Sequence, residues 1–383
     1  MMETNSRSDS EVAVEIAGAG PAGLAAAITL AHAGRKVVVH EMQKEVGHRF
    51  GGDFQGIENW TTRDDALSVL EKQGITTEFN MKPCRNGSVF DSVGKRYEIK
   101  SDETLFYIVE RGPGPGSLDS ALFRQAQSLG VEVRFNSRLR HMDGEGILAA
   151  GPRVADAIAV GYHFETDMAD GYWAICDDEL APQGYAYLLV MNGKGTVKSC
   201  MFSDFKREKI YVKRTLEAFQ RFVGLEMKNP QPHGGSGNFR IPDSAYSGPH
   251  PLVGEQAGFQ DTLWGFGMRL AISSGVLAAQ SLLTGNNYDT LWQRELKPQM
   301  ATAVVNRALY SVAGRCGYGW LLRQLVARNN LRESLRQQYQ PSWPKRLLGP
   351  WASKRYKSRR KDTTCNHIDC HCIWCRRECC VHD

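Results

Sequence analysis

Residues 12–41 read VAVEIAGAGPAGLAAAITLAHAGRKVVVHE, and this stretch decides the fold. Val12, Val14 and Ile16 alternate as a strand does. Gly18, Gly20 and Gly23 follow, with Pro21 and Ala22 leading into an alanine-rich helix over residues 24–33. A second apolar strand, residues 37–39, closes on Glu41. Strand, glycines, helix, strand and acid in that order make a complete dinucleotide-binding βαβ unit. Gly18 permits the tight turn, Gly20 keeps no side chain between backbone and pyrophosphate, and Gly23 lets the helix lie close on the strand. The helix N-terminus offers unpaired N–H groups and partial positive charge to the phosphates. Glu41, 18 residues past Gly23, is placed to bind both ribose hydroxyls. It would repel a 2′-phosphate, so the pattern points to FAD or NAD rather than NADP.

Around this unit, 383 residues are enough for one large or two medium domains. An apolar fraction of 42% and a charged fraction of 23% exclude a disordered or fibrous chain. No apolar run reaches the roughly 18 residues of a membrane span. Residues 1–10 have no apolar stretch and read as a disordered leader, with no secretory signal, which points to a cytoplasmic, reducing compartment. The net charge is +5, yet eight basic residues and no acid lie between Lys345 and Lys361, so the rest of the chain is slightly acidic.

The glycine-rich loop after Glu41, KEVGHRFGGDFQGIENW, carries Arg49, which can meet a pyrophosphate or simply face solvent. Residues 75–82 and 105–110 read as strands. Gly112, Gly114 and Gly116 imitate a second phosphate loop before a helix over 118–129. Pro113 and Pro115 remove two N–H donors there, so the segment reads as a rigid corner, with Arg111 directed at the cofactor. Strands over 131–135 and 146–151 follow.

From about residue 155 the pattern changes to period two. Residues 172–176, 185–191 and 196–202 alternate, Asn192-Gly193 is a hairpin turn, and a helix covers 215–223. Trp173, Tyr185, Tyr187 and Phe202 are available either to a pocket or to ordinary core. The nucleotide-binding pattern returns at PLVGEQAGFQDTLWGFGMRLAISSGVLAAQSLL, residues 251–283. Gly254 and Glu255 follow a strand, and Gly265 and Gly267 precede a helix starting near Met268. Backbone N–H groups there can approach a flavin ring edge, where a helix N-terminus favours the anionic reduced form.

Together Gly18–Gly23 with Glu41, and GEQAGFQD, GFGMR and SGVLAA in residues 254–279, resemble the geranylgeranyl-reductase-like flavoproteins of the hydroxylase-type FAD fold. The resemblance covers roughly residues 11–285. It implies an extended FAD with its adenosine at Glu41, a small antiparallel sheet over the ring, and an isoprenoid or other apolar substrate whose double bonds are reduced. Three departures stand out. Glu255 replaces the family's usual Asp, Tyr185-Ala-Tyr187-Leu-Leu-Val replaces its Y-x-W-x-F-P motif, and Ala169-Asp170-Gly171 lacks the Ser and Arg of the aromatic monooxygenases. No second GxGxxG is present, so electrons would come from a transiently docked NAD(P)H or an electron-donor protein. Tyr185 is the candidate catalytic proton donor.

Residues 288–338 read as amphipathic helices interrupted at Pro298 and at 314–319. With the basic stretch, Trp343 and Trp351, they leave open either core packing or peripheral membrane contact, while nucleic acid is not expected. The end, CNHIDCHCIWCRRECCVHD, places Cys365, Cys370, Cys372 and Cys375 within eleven residues. That spacing allows tetrahedral zinc, an iron–sulfur cluster that would feed electrons to the flavin, or a metal-free thiol-rich tail.

The expected architecture is α/β: a Rossmann-like FAD-binding domain (11–154 and 244–285), an inserted antiparallel-sheet substrate domain (155–243), C-terminal helices (286–344), and a basic, Cys-rich tail (345–383). The expected activity is FAD-dependent reduction of an apolar substrate. Rival readings are an oxygen-consuming FAD monooxygenase or halogenase-like enzyme, and a flavin-binding regulatory protein acting through its tail.

Overall fold

In the computed structural model, which describes residues 12–355 apart from 153–154, 240 and 328–329, the first strand, Val14–Ala17, lies inside a four-stranded parallel sheet. The order is Glu132–Arg134, Val37–His40, Val14–Ala17, Gly146–Leu148. Val37–His40 is buried throughout, as parallel strands covered on both faces are. Helix α1, Pro21–His32, follows the glycine turn with proline in its first turn, where a missing N–H costs nothing.

Helices α2, Ala66–Lys72, and α3, Leu118–Ser128, are capped by the side chains of Asp65 and Ser117. Phe54–Glu58, Phe106–Glu110 and Met81–Cys84 form a three-stranded antiparallel sheet in that order. The expected strand over 75–82 begins only at Met81, because Thr76 to Asn80 are used in turns that dock on α3 and its leading loop.

A seven-stranded sheet holds the period-two strands, in the order Lys228–Gly237, Ala157–Glu165, Lys194–Met201, Tyr185–Met191, Gly171–Ile175, Asn86–Phe90, Arg96–Lys100. It is antiparallel except where Gly171–Ile175 pairs parallel with Asn86–Phe90, so two strands come from well before residue 155. Asn192 and Gly193 have φ of +53° and +73°, the two left-handed positions of a primed hairpin turn. Helix α4, Glu208–Val223, packs on this sheet and starts a full two turns before the expected residue 215. Its first turns are too rich in charge to show an apolar stripe.

Helix α5, Met268–Thr284, returns to the parallel sheet and lies against α1. Gly275 makes the approach possible, since a Cβ there would stand 2.1 Å from the Ala22 carbonyl oxygen. Helices α6, Tyr288–Glu295, α7, Lys297–Val326, α8, Leu331–Tyr339, and α9, Trp343–Arg355, complete the chain. Pro298 opens α7 rather than interrupting it, and the break falls at Gly314, where φ is +55°. No helix among the described residues is long and apolar enough to cross a membrane.

Candidate functional site

The three glycines of the first turn have three different surroundings. A Cβ on Gly18, whose φ is +109°, would stand 2.4 Å from the Ala149 carbonyl oxygen, and one on Gly23 would stand 2.0 Å from that of Gly18. At Gly20 nothing lies within 4 Å. Two glycines therefore close the strand–helix joint and the third faces open space. Gly20 is the N-cap of α1 and supplies no side-chain cap, so the first-turn N–H groups have no side-chain acceptor there. Across the gap, Glu41 is held rigidly at the end of its strand, with Oε2 accepting from Ala19 N–H (2.8 Å) and Oε1 from Gln43 N–H (2.9 Å).

This cradle opens into one cavity of about 1250 Å³, lined by Gly18–Ala22, Glu41, Arg49, Arg111, Tyr185, Gly254, Glu255, Gly265, Gly267 and Met268 among others. All the expected cofactor-site residues except Gly23, which sits in the joint behind, thus border the same space. The volume exceeds the roughly 300–1,000 Å³ of ordinary small-molecule sites, leaving room for an extended dinucleotide and a second molecule. The fit to FAD rests on the open position at Gly20, the uncapped α1 and the fixed Glu41 carboxylate.

The two arginines differ. Arg49 is half-exposed and pairs with Glu255 at 3.1 Å, tying the loop after the second strand to the turn after Val253. Arg111 is buried, with Nε and Nη2 donating to Asp119 (2.8 and 2.9 Å) and Nη1 to Gln55 (2.6 Å). Its guanidinium lies 4.0 Å from the centre of the Phe50 ring. Arg111 borders the cavity, but its charge is balanced within the protein. The Gly112–Gly116 corner is closed by its own contacts, Gly112 N–H donating to Asp119 and the Gly112 carbonyl accepting from Ser117.

At the other end, Gly265 has φ of +76°, and Gly267 is the uncapped N-cap of α5. Asp261 shapes this turn, accepting from Trp264 N–H at 2.7 Å and from the Tyr339 hydroxyl at 3.0 Å. Burial pushes its carboxyl up to about 6. Tyr185 borders the cavity, and its hydroxyl donates to the Trp264 carbonyl. Burial holds that phenol's pKa well above its ordinary value of 10.0, so the proton is both engaged and tightly held. Trp173 and Tyr187 also line the cavity, whereas Phe202 lies under the buried Arg307 guanidinium, 3.4 Å away, and stacks on Phe239. Cys176 and Cys200 line it as thiols, burial raising each to about 11.

Sequence reasoning missed a buried polar cluster. Lys198 Nζ donates to Asp53 Oδ2 at 2.5 Å and to His233 Nδ1 at 2.8 Å, and all three residues line the cavity. His233 Nε2 lies 2.9 Å from the Arg49 carbonyl oxygen, which can only accept, so Nε2 carries the hydrogen and Nδ1 is the acceptor. Thr196 Oγ1 donates to Asp53 Oδ1 at 3.1 Å. Burial works against the Asp53 charge, but the Lys198 ammonium and the hydrogen bonds from Lys198 and Thr196 outweigh it and hold the carboxyl below its usual range. Burial lowers Lys198 more than Asp53 raises it, and His233 is lowered by burial and by Lys198. The cluster lies at the Tyr185 end of the cavity. Lys198 pairs with Tyr187, two positions from Tyr185, and Gly56, three positions from Asp53, lies against Phe266. A lone lysine in an alternating strand reads as a solvated residue, and Asp53 lies 145 positions away, so no local signal existed.

Beyond the cluster the wall becomes apolar. Trp60, Phe106 and Phe266 pack edge to face, and Leu322, Leu325, Leu331 and Leu335 from α7 and α8 join them. The Tyr172 hydroxyl is buried here without a partner. Cys365, Cys370, Cys372 and Cys375 lie outside the described residues. Among the described residues no group of His, Cys, Asp and Glu is arranged to hold a metal ion.

Known proteins are similar to this chain in sequence and fold. The model of an FAD binding domain family matches residues 11–156. The digeranylgeranylglycerophospholipid reductase of Haloferax volcanii is 24% identical over 377 residues, spanning 82% of this chain and 88% of the relative. Among solved structures, a geranylgeranyl bacteriochlorophyll reductase-like protein from Thermoplasma acidophilum superposes with a TM-score of 0.67 at 16% identity, covering 90% of this chain and 98% of that one. A flavin-dependent brominase superposes at 0.63 and 13% identity, with the same coverage. At those identities the superpositions speak for the fold.

Proposed function

We infer that this chain, an FAD-dependent oxidoreductase of the geranylgeranyl-reductase-like kind, reduces carbon–carbon double bonds in an apolar, isoprenoid-like substrate. The observation that carries the reading is the polarity of a single cavity, with a backbone anion cradle and Glu41 at one end and the aromatic and leucine walls at the other. FAD, when bound, supplies a hydride to one alkene carbon, and the protein must deliver a proton to the other. Glu41 would hold the adenosine ribose and the α1 N-terminus the pyrophosphate. Gly254 and Glu255 would meet the middle of the cofactor, and the α5 N-terminus would face the ring. Tyr187, Trp60 and the leucines of α7 and α8 exclude water and orient the chain.

Lys198, rather than Tyr185, is suited to deliver the proton. Two of its three N–H groups are taken by Asp53 and His233. Burial makes the ammonium readier to release the remaining proton, while Asp53 keeps it charged beforehand. An apolar chain of this kind resides in bilayers, so the enzyme would meet it at a membrane surface. The electron donor would be a transiently docked NAD(P)H or a reductase protein.

The deciding experiment is anaerobic. Reduced enzyme mixed with an unsaturated isoprenoid lipid should regain its oxidised flavin spectrum without oxygen and yield saturated product. Reoxidation that occurs only on admitting oxygen would favour the monooxygenase or halogenase-like chemistry instead. Glu41→Arg should purify without flavin, and unchanged flavin content would remove the adenosine assignment.

A further inference from the structure

Helix α9 is turned inside out. Its side facing the protein carries Lys345, Gly349 and Ala352, with Ala352 fully buried against Val304, Val305 and Ala308 of α7. Its outward side carries the large residues, with Trp343 74%, Leu347 71% and Trp351 43% exposed, spaced one turn apart, and Leu348 37% exposed beside them. Seven of the eleven large hydrophobic side chains exposed among the described residues fall between Leu309 and Trp351. A helix that only covered the core would put its tryptophans inward. Arg346 and Lys354 are exposed on the same helix. Lys345, on the inward side, donates to the Gln338 carbonyl at the end of α8. The sequence adds no acid between Lys345 and Lys361.

We propose that the outward face of α9 is a docking surface for anionic lipid bilayers, with Trp343, Leu347 and Trp351 entering the headgroup–acyl boundary and Arg346 and Lys354 meeting lipid phosphates. Tryptophan and leucine flanked by cations on an otherwise short, non-spanning helix is the pattern of an interfacial anchor. A second copy of the chain is a poorer occupant, because subunit interfaces deplete charge at their centre, and here the cations intersperse the stripe. Nucleic acid would gain little from Leu347 and Leu348. The inference rests on the reading of a bilayer-resident substrate for its purpose. Its test uses lipids with no isoprenoid, so the surface can fail without the substrate reading failing, and the reverse.

Full-length, flavin-loaded protein is sedimented with vesicles of phosphatidylcholine alone and of equal parts phosphatidylcholine and phosphatidylserine. Binding to the anionic vesicles that falls steeply with salt is expected. Trp343→Ser with Leu347→Ser and Trp351→Ser should cut partitioning at least about tenfold. Arg346→Glu with Lys354→Glu should do the same through charge, each lost cation weakening binding about fivefold. Val93→Ser with Ile210→Ser, exposed apolar residues elsewhere, should change nothing, and unchanged flavin absorbance reports intact folding. No vesicle binding, equal binding by the serine variant, or a light-scattering mass that shows a dimer lost in that variant would each overturn the proposal.

Discussion

The two ends of the cavity are built by opposite means. The cradle around Gly18, Gly20 and Gly23 is made of backbone, with its tolerances at Gly18 and Gly23 set by atoms 2.0–2.4 Å from where a Cβ would lie. It comes from one unbroken stretch of 30 residues closed by the Glu41 carboxylate. The far end is made of side chains. Asp53, Lys198 and His233 arrive from three separate segments, and the leucines arrive from α7 and α8. A backbone site refuses added atoms but depends little on side-chain chemistry. A side-chain site accepts a change of volume and fails when a charge loses its partner. One fold can thus keep its cofactor while the substrate end is rebuilt.

That contrast can be broken most forcefully at the joint. Gly23→Val should cost about 5 kcal/mol or more, because its side chain meets backbone that cannot yield. Gly20→Ala, at a normal φ of −79° with open space around it, should fold like the parent yet bind FAD about tenfold or more weakly. Denaturant midpoints and flavin titrations separate the two, and a Gly20→Ala protein with parental affinity would remove the cradle from the binding site.

At the side-chain end, Lys198→Met should destabilise by about 3–5 kcal/mol by stranding a buried Asp53. Adding Asp53→Leu should recover much of that loss, and a single variant as stable as the parent would show the pair is not a buried charge pair. Lys198→Arg should keep the fold but slow anaerobic flavin reoxidation by substrate.

Asp261 sharpens the comparison through pH. Its folded value of about 6 lies above the ordinary 3.8, so the folded state holds the proton more tightly than the unfolded one. Its favourable contribution is full below about pH 4 and is lost as pH rises through about 6, amounting to about 3 kcal/mol. Asp261→Asn should flatten the stability profile between those limits, and identical profiles would place the titration elsewhere. Smallest of all, Tyr185→Phe removes one hydrogen bond to the Trp264 carbonyl and should cost about 1 kcal/mol. Near-parental turnover is expected if Lys198 supplies the proton, and a collapse in turnover at unchanged stability would return that role to Tyr185.

How much was legible depends on how local each signal is. The βαβ unit, the Asn192-Gly193 hairpin and the glycines before α5 declare themselves within a few residues, because turn geometry and helix starts are set by neighbours. The recruitment of residues 86–100 to the large sheet was not readable, because strand partners are chosen across long separations. Alternation left Phe202 open to a pocket or to core, and only the fold placed it beneath Arg307, more than a hundred positions away, since alternation tells which face a residue takes but not what covers that face.

By itself the sequence determined that a dinucleotide cradle exists, where its carboxylate sits, and that the chain has an α/β nucleotide domain joined to a sheet of period-two strands. Glycine spacing and residue alternation record such constraints directly, because they restrict the backbone at each position. The tertiary structure decided which side chains share the cavity, that Arg111 is neutralised by Asp119, that Lys198 is held between Asp53 and His233, and that α9 faces its tryptophans outward. Those outcomes depend on burial and on charge partners brought together only when the chain closes, and no local pattern encodes them.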